Sequence, residues 1–67
     1  MKIDVVKMNI LLASHGLTKT ELARRAGMSR QNISTIVKRG TCEPKTAGKL
    51  AVGFGVSVED LMEDAHV

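Results

Sequence analysis

Apolar residues recur at helical spacing in five stretches of this chain, with polar residues filling the faces between them. Val5, Met8, Leu12 and His15 form the first stripe, at i, i+3, i+7 and i+10, and predict a helix from about Asp4 to His15. Gly16 stands where a left-handed cap would stop it. Ile3, Ile10 and Leu11 widen the stripe, enough to turn some apolar side chains toward a partner. A second helix starts at Thr18, where Thr18-Lys19-Thr20-Glu21 matches a capping box and Leu17 and Leu22 match a hydrophobic staple. Leu22, Ala23 and Ala26 make its inner face, Arg24 and Arg25 point outward, and Gly27 ends it. Ser29 caps a third helix, with Ile33, Ile36 and Val37 inward and Arg30, Gln31, Ser34, Thr35 and Lys38 outward. Gly40 closes it, after Lys38 and Arg39 have placed positive charge on its last turn.

Pro44 suits the first turn of a fourth helix, which carries Ala47, Leu50, Ala51 and Phe54 and ends at Gly55. Gly48 and Gly53 inside it each cost about 1 kcal/mol relative to alanine. They either admit another helix at close range or loosen this end. Ser57-Val58-Glu59-Asp60 predicts a short fifth helix with an acidic first turn, its apolar residues being Val58, Leu61 and Met62. No strand pattern or internal repeat is present, so the reading is all-α.

Sixty-seven residues make a single domain, 1–67, with a small core. Cys42 is the lone cysteine, so no intrachain disulfide can staple the fold. No apolar run is long enough to span a bilayer or to serve as a secretion signal. A soluble protein of the cytoplasm, associated with the nucleoid, is expected. Charge is unevenly placed. All ten Lys and Arg lie between Lys2 and Lys49, opposed there only by Asp4, Glu21 and Glu43. Glu59, Asp60, Glu63 and Asp64 follow with no basic residue among them. A basic body suggests a polyanion. With Phe54 the only aromatic, base stacking is nearly unavailable, which favours duplex DNA over single strands or RNA.

Two short helices that meet at Gly27, the second opening on side chains able to read base edges, are the chain's most specific signal. The motif L-T-x-x-E-L-A-x-x-A-G-M-S-x-x-x-I-S-x-I spans residues 17–36, and G-V-S-V-E-D-L spans 55–61. Both resemble the Cro/cI-type (XRE) helix-turn-helix regulators. The resemblance implies a compact five-helix, lambda-repressor-like domain with its helix-turn-helix unit at about 18–39, acting as a homodimer on a pseudo-palindromic operator. It implies base contacts from Arg30, Gln31, Asn32 and Thr35. Phosphate contacts are expected from Thr18, Lys19, Ser29, Ser34, Lys38, Arg39 and Lys45, and from the free N–H groups opening the second helix. Val52, Phe54, Val56, Val58 and Met62 offer more apolar surface than one small core uses, and are expected at a dimer interface. The family often sets an arginine late in helix one against a glutamate late in helix three. Leu12 and Val37 stand there instead, implying an apolar contact in place of an ion pair.

Other chemistry is not implied. His15, His66 and Cys42 lack metal-ligand spacing, and no glycine-rich phosphate loop follows a strand. No cofactor, small-molecule ligand or enzymatic constellation is expected. Two alternatives stay open: a protein-interaction module that keeps this fold without binding DNA, and the DNA-binding antitoxin of a toxin–antitoxin pair.

Overall fold

The computed structural model describes residues 1–63, and four α-helices follow one another in it: α1 (Val5–Ser14), α2 (Lys19–Ala26), α3 (Arg30–Arg39) and α4 (Pro44–Phe54). Each begins where local chemistry places a start. Asp4, Thr18 and Ser29 take the N-cap positions of the first three, and each side chain accepts a backbone N–H three residues on, at 3.1 Å. Pro44 opens α4. At the second start the capping box is rearranged. The Thr18 hydroxyl donates to the Glu21 carboxylate at 3.5 Å, in place of a bond from the Thr18 backbone N–H.

The expected fifth α-helix is a four-residue 3₁₀ turn, Val58–Leu61. Ser57 and Asp60 do cap it, the Ser57 N–H and hydroxyl both donating to the Asp60 carboxylate at 3.3 and 3.2 Å. It stops because Met62 turns extended and bridges to Ile3, which leaves too few residues for a ladder of i→i−4 bonds. Asp64, counted above among the acidic residues, and His66, set aside above as a metal ligand, lie outside the described residues.

Ile3 also departs from expectation. It does not widen the stripe of α1 but precedes the helix in extended conformation, fully buried. Its N–H donates to the Gly40 carbonyl at 2.8 Å, and the Asp4 N–H donates to the Leu61 carbonyl at 2.8 Å. The Cys42 N–H reaches the Met1 carbonyl at 3.0 Å, and Lys2 bridges Thr41. The first four residues are thereby laced between the end of α3 and the 3₁₀ turn.

One apolar cluster joins every element: Ile3, Met8, Leu12 and Leu17 from the first part, Leu22, Ala23, Ile33 and Ile36 from α2 and α3, then Ala47, Leu50, Ala51, Phe54 and Leu61. Leu12 is buried, and Val37 packs against the same core, in keeping with the apolar pair that the resemblance implies at these positions. The glycine ambiguity in α4 resolves differently at its two positions. A Cβ on Gly53 would stand 3.1 Å from the Ala26 Cβ, 3.1 Å from the Leu22 Cδ1 and 3.2 Å from the Ala26 nitrogen. Gly53 thus lets α4 lie tight on α2. Gly48 faces open space.

Phe54 needs a correction as a dimer residue. It is 3 % exposed, because the inward stripe of α4 carries it into the core, and it has no surface to offer a partner. His15, exposed at the end of α1, meets it edge-on with ring centroids 6.4 Å apart.

Candidate nucleic-acid interface

The geometry of the two-helix unit starts at the turn. Gly27 has φ +70°, a left-handed conformation that a residue with a Cβ adopts at a cost. Past it, the Met28 N–H closes back onto the Ala23 carbonyl at 2.9 Å, and Ser29 turns extended to cap α3. The amphipathic pattern then sorts α3 cleanly. Ile33 and Ile36 are buried, while Arg30, Gln31, Asn32, Thr35, Lys38 and Arg39 are exposed. Ser34 is half-buried, at the margin of the outer face.

Hydrogen bonding decides what several of these groups have left to give. The Ser29 oxygen accepts from the Asn32 N–H, so its own O–H remains available as a donor to an anion. The Thr35 hydroxyl donates to the Gln31 carbonyl at 3.0 Å. Its methyl and the acceptor lone pairs of its oxygen are left for an outside contact. At the start of α2, the Thr18 hydroxyl is committed to Glu21, and the exposed position is backed by Lys19, which is half-buried. Lys45 is exposed on the first turn of α4.

Tertiary structure adds two residues that sequence reading missed. Lys2 shares a concavity of about 380 Å³ with Arg39, Gly40 and Thr41, because the N-terminal segment is bridged to the loop after α3. It adds a cation near Arg39, with the carboxylates of Asp4 and Glu63 on the same concavity. Glu43 borders a second recess, about 220 Å³, whose other walls are Met28, Asn32, Thr35, Ile36, Cys42 and Thr46. Neither had a local signal. Lys2 stands at a distant chain position that only folding brings to α3, and Glu43 reaches the recess because the short loop after Gly40 turns back beside the helix. Cys42, half-buried in that recess, has its thiol pushed above the ordinary value. Burial is the main cause and Glu43 adds to it, while the nearby N-terminal ammonium opposes.

Of the residues expected at a dimer interface, Val52 is the most exposed at 76 %. Val56 and Val58 are half-buried against the core, and Met62 is half-buried at its bridge to Ile3. Val6 and Ile10, one turn apart on α1, are 66 % and 59 % exposed. Among the described residues no group of His, Cys, Asp and Glu is placed to hold a metal ion. No described helix is long and apolar enough to cross a membrane.

A cap-start, glycine-turn, cap-start pair of helices with a polar outer face is one arrangement among several until compared with known proteins. The profile of the Cro/C1-type helix-turn-helix DNA-binding domain matches residues 7–65. The chain belongs to that family. It is also 44 % identical over 57 residues to a protein of Methanocaldococcus jannaschii, named as an uncharacterized HTH-type transcriptional regulator, covering 82 % of this chain and 85 % of that one. No solved structure matches it. In a member of this family, α3 is the helix to ask about base reading, and its outer face is the one described above.

Proposed function

We propose that this protein is a transcriptional repressor that binds a pseudo-palindromic duplex operator as a homodimer, with the first turn of α3 in the major groove. The observation that carries the reading is the outer face of α3. Arg30, Gln31, Asn32 and Thr35 stand together in solvent, framed by Lys38 and Arg39. Arg30 suits guanine O6 and N7, Gln31 suits adenine N6 and N7, and the Thr35 methyl suits a thymine methyl. Asn32 reads beside them. Lys19, Ser29, Ser34, Lys38, Arg39 and Lys45 hold phosphates, with Thr18 contributing its helix start more than its hydroxyl. The second copy docks at the end formed by α4 and the 3₁₀ turn, through Val52, Val56, Val58 and Met62. Two half-sites multiply the few base contacts that one small domain makes.

Selection from a random duplex library tests this directly. A two-fold-related motif should emerge, and its affinity should fall with rising salt by a slope of about −0.9 per phosphate neutralised. Recovery of no preferred duplex at low ionic strength would leave the protein-interaction reading in its place.

A further inference from the structure

The basic part of the chain carries only three acidic residues, and two have visible structural work. Asp4 caps α1, and Glu21 receives the Thr18 hydroxyl at the start of α2. Glu43 is different. It occupies the N-cap position of α4, yet its side chain makes no cap bond, and it is exposed. It lies on the recess whose walls include Asn32 and Thr35, two of the residues assigned to base reading. A carboxylate at that place faces a cost when DNA arrives, since it approaches a polyanion. The favourable dipole of α4 is worth only about 0.3–1 kcal/mol at an exposed helix start, and aspartate or serine would serve better there as a true cap.

We infer that Glu43 reads a base: its carboxylate accepts the N4 amino group of a cytosine in the major groove, beside the base pairs read by Asn32 and Thr35. This rests on the DNA-binding reading above and deepens it. A carboxylate only accepts, so it rejects the acceptor atoms of guanine and thymine and favours an exocyclic amino group. Cytosine and adenine both present one. What separates them is the rest of the edge. Beside its amino group adenine carries N7, an acceptor that needs a donor, whereas cytosine carries a C–H at C5. Met28, Ile36 and Cys42 give the recess an apolar wall that suits the C–H; of its donors, Asn32 is assigned to the neighbouring base pair and Thr46 is half-buried.

The test is duplex selection run in parallel with the wild type, Glu43→Ala and Glu43→Gln, after circular dichroism shows all three folded. Wild type should enrich cytosine at one half-site position. Glu43→Ala should lose that preference about tenfold while the remaining positions keep theirs, and Glu43→Gln should shift it toward adenine, the base whose N6 and N7 an amide matches. The inference is overturned if Glu43→Ala keeps every base preference and tightens all duplexes alike, for then the carboxylate merely repels the backbone. A wild type that enriches no sequence overturns the DNA-reading proposal itself, and this one with it.

Discussion

A single methyl group separates the two interior glycines of α4. At Gly53 the added Cβ presses on the Ala26 backbone nitrogen, which cannot move aside as a flexible side chain would. We expect Gly53→Ala to lower stability by about 1–3 kcal/mol through overpacking, despite its better helix propensity. Gly48→Ala meets nothing and should raise stability by up to about 1 kcal/mol. Thermal melts of the pair check both signs. At the outer face of α3 the expected split is in specificity. Arg30→Ala and Gln31→Ala should each cost about 1–3 kcal/mol on the selected operator and relax base choice, whereas Lys38→Ala should weaken all duplexes alike. Titrations against operator and scrambled duplex separate the two behaviours. Cys42 supplies a pH dependence. Burial favours its neutral thiol, so its folded value is raised. That contribution to stability is complete below the ordinary thiol pKa and is lost as pH rises through the raised folded value. As pH rises past the ordinary thiol pKa, the melting temperature should fall less in Cys42→Ser than in wild type.

Element starts were legible because caps act within three or four residues. Thr18 and Ser29 cap as their side chains predict, and Asp4, read only as the start of the first helix, proves to cap it. The misread elements lie at the two ends of the chain, and they misled for one reason: each is completed by the other. Ile3 carries the composition of a helix stripe, and residues 57–61 carry a helix start, but Ile3 and Met62 bridge, which holds Ile3 outside α1 and stops the second segment at a single 3₁₀ turn. The buried side chain of Ile3 and the bond from its N–H to Gly40 tie this edge to the end of α3. Ile3→Ala should therefore cost about 2–4 kcal/mol. It should also speed hydrogen exchange at the Asp4 and Cys42 amides more than at α2. Uniform loosening in a hydrogen-exchange experiment would count against a local tie.

At the scale of the whole molecule, the proposed operator demands a second copy, and among the described residues the most exposed large apolar side chains lie on two helices. Val52 continues the α4 end, and Val6 with Ile10 marks α1. We expect Val52→Asp to shift sedimentation toward monomer and Ile10→Asp to leave the assembly intact; the reverse result would move the interface to α1. The chain alone determined the helical class, four of the five elements and the inward and outward faces of α3. All of these follow from periodicity, capping and charge, which are relations among near neighbours. It did not determine that Phe54 is sealed inside, that Gly53 seats α4 on α2, or that Lys2 borders α3. Those are meetings of residues far apart in the chain. They are decided by which packing buries one shared core, and the order of residues carries no local mark of them.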